Sequence, residues 1–167
     1  MTTLLMWFVV VFGAVLQAAL PAPTWLGQAQ GPVLLGIVLY YGLAHTRPMM
    51  LQAAVLAGLL QDALSLSPLG YSSFVFCVVG LIVERFRDAV FVHELFTRML
   101  FGALGAGAVT LGLYGLLAQE DLVAARASWV VLKTVGSVVL GAIIVPLECE
   151  LLAALDRMLG NVEAQRT

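Results

Sequence analysis

The sequence has very few charged residues. Asp, Glu, Lys and Arg make up 11% of its 167 residues, whereas a soluble domain of this size carries about 25%. Hydrophobic residues make up 62% of the chain, and the mean hydropathy is +1.03. A soluble fold is excluded because the apolar segments have too few polar residues to give their helices a hydrated face. The net charge of −2 also leaves no basic surface for nucleic acid.

The motifs of enzymes and metal sites are missing as well. The two cysteines, Cys77 and Cys149, lie far apart in apolar segments and have no zinc or redox spacing. We interpret them as small buried apolar side chains. Neither His45 nor His93 has a carboxylate or cysteine at ligand spacing, and no Ser–His–Asp arrangement, phosphate-binding loop or HExxH sequence occurs. We therefore expect no catalytic residue, no metal site, no cofactor and no enzymatic activity.

The chain consists instead of continuous apolar segments. They do not alternate in polarity as barrel strands do, and a helix is the remaining structure that satisfies its own backbone in lipid. We therefore predict an all-α integral membrane protein, with one six-helix domain over residues 1–160 and a cytoplasmic tail over residues 161–167. The predicted spans are residues 4–20, 32–44, 49–66, 71–83, 99–118 and 128–146.

Several segments leave an alternative open. Residues 32–44 and 71–83 are shorter than the roughly 20 residues that a spanning helix needs. They either extend into their flanking loops or form partial helices packed inside the bundle. Residues 147–159 have leucines at helical spacing interrupted by charges, which predicts an amphipathic helix at the membrane interface or the end of a long sixth span. No Lys or Arg precedes the first segment, so we expect a retained helix rather than a cleaved signal peptide.

The basic residues indicate an orientation. Lys and Arg are enriched on the cytoplasmic side of membrane proteins. If both termini are cytoplasmic, six of the eight basic residues fall on that side, and only Arg126 and Lys133 fall toward the other. We therefore predict a multi-pass protein with its N- and C-termini in the cytoplasm.

Asp62 is the polar residue that stands out within a predicted span. It lies next to Gln61 in the third apolar segment, and an unpaired carboxylate in hydrocarbon costs at least about 2–3 kcal/mol. Counted along the helices, Asp62 and Lys133 lie about 9 Å and 7–8 Å below the outer face, which predicts an intramembrane ion pair. Alternatively, Lys133 snorkels to the surface alone, and Asp62 is solvated from the outer loop or accepts hydrogen bonds from a helix end. Gln17 and Gln52 are candidates for hydrogen bonds between helices.

The fifth predicted span is rich in small residues. Glycine and alanine four positions apart let helix backbones approach each other closely. We hypothesise that Gly102, Ala106, Gly107 and Gly112 form a surface on which a helix of another protein docks. The alternative is that these residues pack against helices of the same chain.

Two short motifs resemble those of a known family. Residues 58–62 read GLLQD and residues 67–70 read SPLG, and this combination resembles the signature of MreD, the rod shape-determining membrane protein. Residues 40–43 (YYGL) and 47–48 (RP) resemble the segment leading into it, with Tyr41 where many relatives have Trp. Length and six-span layout also agree. The residues that carry the motif and its outer turn are Gly58, Gln61, Asp62, Pro68 and Gly70.

The resemblance implies a fold and a function. The fold is expected to be similar to the substrate-binding (S) component of energy-coupling-factor transporters. The family's function is non-enzymatic: its members belong to the cell-elongation (rod) complex, or elongasome, of the bacterial inner membrane. The chain is then expected to bind the single-span protein MreC and to help organise lateral peptidoglycan synthesis and cell shape. RodA, a penicillin-binding transpeptidase and MreB are expected in the wider complex, within the lipid bilayer.

An alternative function is that of an S-component itself, which binds a small vitamin or a lipid-like ligand. Such a protein needs a polar pocket. The residues that could line one near the outer face are Gln61, Asp62, Tyr71, Ser72 and Ser73.

Overall fold

A computed structural model describes residues 2–19, 31–65, 69–86, 95–119 and 127–158. Within these ranges the chain forms six α-helices, which confirms the all-α prediction for the described residues. The helices are α1 (Thr2–Ala19), α2 (Val33–Ala44), α3 (Arg47–Ser65), α4 (Tyr71–Phe86), α5 (Leu95–Gln119) and α6 (Ala127–Met158).

Helix α2 lies at the centre of the bundle and contacts each of the other five helices. Its sequence is apolar on every face, as expected of a helix with no exposed side, and every residue from Val33 to Leu43 is buried. With 12 residues it rises about 18 Å, well short of the roughly 30 Å hydrocarbon thickness. The structure therefore matches the alternative in which the second segment is a partial helix packed inside the bundle.

The outer surface of the bundle is apolar. Helix α1 contacts only α2 and α3 closely, and its opposite side exposes Trp7, Phe8, Phe12 and other large side chains. Such a surface suits lipid rather than water. By length and composition alone, two helical segments could cross a membrane, Phe96–Gly115 and Trp129–Met158.

Helix α6 continues through Pro146, where the sequence predicted an end to the sixth span. Proline removes one backbone N–H from the helix ladder, but tight packing on α2 holds the segment beyond it. There the polarity is reversed relative to a surface helix: Leu147 and Leu151 are exposed, whereas Asp156 is buried and Glu148 partly so. The structure therefore matches the alternative in which this segment is the end of a long sixth helix.

The small residues of α5 face helices of the same chain. A Cβ atom on Gly102 would overlap the carbonyl group of Gly141 in α6, and a Cβ on Gly141 would lie 2.7 Å from that of Ala106. On Gly107 it would lie 3.0 Å from Val138 of α6, and on Gly112 3.3 Å from Val75 of α4. The face that we assigned to a docking partner is therefore occupied by α6 and α4, as in the alternative of packing within the chain. Between α5 and α6 the glycines let the two backbones meet directly.

We predict that Gly102→Ala destabilises the protein although alanine favours helix by about 1 kcal/mol over glycine. The added methyl group must push α5 and α6 apart. Gly115→Ala is the matched control on the same helix, since a Cβ there meets nothing within 4 Å. Thermal unfolding in detergent should show a lower midpoint for Gly102→Ala and an unchanged or higher midpoint for Gly115→Ala. Equal midpoints for the two variants would contradict the close α5–α6 contact.

Candidate functional site

The two ends of the bundle carry different polar groups. The Gly70 end, named for the residue before α4, holds the last turns of α1, α3 and α5 and the first turns of α2, α4 and α6. The His45 end, named for the residue between α2 and α3, holds the opposite helix termini.

At the Gly70 end, the Asp62 carboxylate caps helix α4. Asp62 is fully buried. Its Oδ2 accepts a hydrogen bond from the backbone N–H of Gly70 at 2.7 Å, and its Oδ1 accepts one from that of Ser72 at 3.1 Å. The first N–H groups of a helix have no partner within it, and the helix dipole favours negative charge there. The end of α3 therefore satisfies the start of α4 while α4 stabilises a buried carboxylate.

Gly58 and Gly70 allow this arrangement. A Cβ on Gly58 would overlap the backbone of Ser73, so only glycine lets α3 and α4 approach so closely. The Ser73 hydroxyl then donates to the carbonyl of Val55 at 3.1 Å. Gly70 has φ of 105°, a left-handed conformation that glycine adopts without strain. We call Gly58, Asp62, Gly70, Ser72 and Ser73 the α3–α4 clasp; Pro68 of the sequence motif lies outside the described residues.

Asp62 and Lys133 have different partners in the structure. Asp62 is directed to backbone N–H groups, as in the alternative of helix-end hydrogen bonds. The Lys133 ammonium lies 5.6 Å from the ring centroid of Tyr114. The ion pairs found among the described residues do not include one between Asp62 and Lys133.

A cavity of about 420 Å³ also lies at the Gly70 end. Its lining includes Gly31, Pro32 and Leu35, at the start of α2. Of the residues expected to line a pocket, Gln61 does so, whereas Asp62, Tyr71, Ser72 and Ser73 are not among the lining residues. The Asp62 carboxylate and the Ser73 hydroxyl make their hydrogen bonds within the clasp. The polar residues that line the cavity are Gln17, Gln61, Ser65, Thr110, Tyr114, Lys133 and Ser137.

One wall of this cavity is a hydrogen-bonded network across three helices. The Gln17 amide donates from Nε2 to Gln61 Oε1, and its own Oε1 accepts from the backbone N–H of Leu34 at 3.0 Å. Gln61 Nε2 in turn donates to the Ser65 hydroxyl at 3.2 Å. The prediction of a hydrogen bond between helices is confirmed for Gln17, which satisfies one of the free N–H groups at the start of α2. Gln52, the other candidate, is exposed on α3.

At the His45 end, three buried polar side chains meet. The Tyr40 hydroxyl donates to Asp156 Oδ2, and His45 Nε2 lies 3.5 Å from the same oxygen. Burial lowers the pKa of His45, and the Asp156 charge opposes this shift. Sequence reasoning missed this cluster because Tyr40 and Asp156 are 116 positions apart.

We predict that Asp62→Ala lowers the free energy of unfolding by about 1–3 kcal/mol, because it leaves buried N–H groups without an acceptor. Asp62→Asn keeps one acceptor oxygen and should lose less. Gln52→Ala, which removes an exposed polar side chain from the same helix, is the control. The measurement is thermal unfolding in detergent. If Lys133→Gln lost as much as Asp62→Ala and the double variant lost no more, the two residues would be an ion pair and the capping account would be wrong.

Comparison with known proteins identifies the family. A family model described as rod shape-determining protein MreD matches residues 1–147 of the chain. The match covers the whole clasp and the cavity, but it ends before Asp156. No curated protein and no solved structure matches the chain significantly. Because the family match extends over most of the sequence, the chain belongs to the MreD family of rod shape-determining membrane proteins.

Proposed function

We propose that this protein is a non-catalytic component of the bacterial cell-elongation complex that binds MreC and helps to organise lateral peptidoglycan synthesis. The observation that carries the proposal is the family match over residues 1–147, since membership implies a role in rod shape determination. RodA, a penicillin-binding transpeptidase and MreB belong to the same proposed assembly. Three residues that resembled the family signature, Gly58, Asp62 and Gly70, belong to the clasp, whose role here is structural.

The proposed topology is six helical segments in a bacterial inner membrane, of which α2 crosses only part of the hydrocarbon thickness, with both termini in the cytoplasm and a fold like that of the S-component. Four basic residues support the orientation, because Arg47, Arg85, Arg98 and Arg157 all belong to helix termini at the His45 end. Lys133 lies toward the opposite end. This asymmetry is what the enrichment of basic residues on the cytoplasmic side requires.

For the MreC contact we propose the exposed face of α1. This helix lies at the edge of the bundle, and Phe8 and Phe12 stack on its outer side with ring centroids 6.3 Å apart. Large aromatic side chains give much contact area for little lost conformational freedom, and they are common at the centres of interfaces. A single helix from a one-span protein could lie along this face within the membrane.

The test is site-specific photo-crosslinking in a rod-shaped bacterium that depends on this chain for its shape. A photoreactive amino acid replaces Phe8, which is 69% exposed, or, as a control, Phe74 of α4, which is 62% exposed. Purification in mild detergent and mass spectrometry identify the products. We expect a crosslink to MreC from position 8 and mainly lipid adducts from position 74.

Two outcomes would count against these proposals. If MreC crosslinks from position 74 and not from position 8, the α1 face is wrong but the partner is right. If MreC neither crosslinks nor copurifies while the cells keep their rod shape, the proposed binding of MreC is wrong.

A further inference from the structure

The described residues that line the cavity at the Gly70 end carry a net positive charge. Among the described residues that line it, Lys133 alone is charged. The carboxylate of Asp62, on the same turn of α3 as Gln61, is directed into the clasp instead. Lys133 is partly buried, and the ring of Tyr114 faces its ammonium group, an arrangement that holds a cation in place without neutralising it. The cavity is therefore suited to an anion.

The remaining lining divides into a polar wall and an apolar floor. Gln17, Gln61 and Ser65 supply amide and hydroxyl groups from α1 and α3, and Ser137 supplies a hydroxyl beside Lys133 on α6. The apolar part comes from residues of α2, α4 and α5, namely Leu35, Phe76, Ala106, Val109 and Leu113. Neutral amides and hydroxyls hydrogen-bond alcohols and esters, whereas the floor accepts only hydrocarbon.

The size of the cavity limits what fits. About 420 Å³ lies within the roughly 300–1,000 Å³ of ligand sites, and it is much larger than a single inorganic ion requires. We propose that this cavity binds the phosphate group of an anionic phosphate ester, with Lys133 as its counter-ion and the Gln17–Gln61 wall on its alcohol portion. This is a ligand site separate from the proposed binding of MreC.

The same chemistry has two sources. A membrane phospholipid such as phosphatidylglycerol carries a phosphodiester and a glycerol headgroup, and its acyl chain would follow the apolar floor. A soluble ester such as glycerol 1-phosphate carries the same groups without the chain. Lysine binds the phosphate of either molecule as a point charge. The experiment therefore distinguishes the phospholipid from the soluble ester by the lipid tail that only the phospholipid has.

The test uses the full chain purified in mild detergent. Native mass spectrometry measures retention of dioleoyl phosphatidylglycerol against dioleoyl phosphatidylcholine, and thermal unfolding measures the shift caused by glycerol 1-phosphate. The variants are Lys133→Gln, Lys133→Arg and Leu113→Trp, which fills the cavity while keeping its charge. Arg157→Gln is the control, because it removes one exposed positive charge from the other end of the same helix.

We expect one phosphatidylglycerol per chain, retained in preference to phosphatidylcholine. A charged hydrogen bond contributes enough that Lys133→Gln should weaken retention about tenfold or more, whereas Lys133→Arg and Arg157→Gln should keep it. Leu113→Trp should lose phosphatidylglycerol although Lys133 is intact. This variant tests the site independently if Lys133→Gln fails to fold. A Lys133-dependent shift by glycerol 1-phosphate without lipid retention would support the site and assign a soluble ligand. Equal retention of both lipids, or binding unaffected by Lys133→Gln and Leu113→Trp, would overturn the proposal.

Discussion

The burial of one short helix organises this protein. Every face of α2 from Val33 to Leu43 packs against another helix. In lipid, such packing depends on van der Waals contact and hydrogen bonds rather than on removal of apolar surface from water. A helix of 12 residues cannot reach both surfaces of a bilayer, so the chain must complete the structure at each end. The cavity and the Gln17–Gln61 network lie at one end of α2, and the Tyr40–His45–Asp156 cluster lies at the other.

The polar residues of the chain follow from the same constraint. Because lipid offers no hydrogen bonds, Asp62 binds the free N–H groups at the start of α4, and Asp156 binds Tyr40. The last part of α6 follows the same rule, since Leu147 and Leu151 are exposed on the outer surface whereas Asp156 is buried inside the bundle. Lys133 differs from these carboxylates. Among the described residues that line the cavity it is the charged one, and its ammonium group lies over the Tyr114 ring. That difference is why the cavity, and not the clasp, suggests a ligand.

The existence and order of the helices could be predicted from the sequence, because continuous apolar segments of this length indicate helices in lipid. Their ends could not, since α6 continues through Pro146 and α5 begins at Leu95. The clasp was predicted in part, since the GLLQD and SPLG motifs singled out Asp62 and Gly70. The direction of the Asp62 carboxylate was not predicted, because the depth of a residue along a helix does not show which way its side chain points. Depth alone therefore suggested Lys133 as its partner. The glycines of α5 were recognised as a close-packing face, but sequence alone does not say whether the opposing helix belongs to the same chain. The His45–Asp156 contact and the cavity depend on distant segments meeting, and no local pattern encodes that.

Amide hydrogen exchange of the protein in lipid nanodiscs tests whether α2 is the fully enclosed core of the bundle. Exchange requires opening of the structure around each amide. We expect residues 33–43 to exchange more slowly than α1, whose outer side is exposed and which, among the described helices, packs closely on α2 and α3. Exchange of residues 33–43 as fast as that of α1 would contradict the central position of α2 and the arrangement of both polar ends.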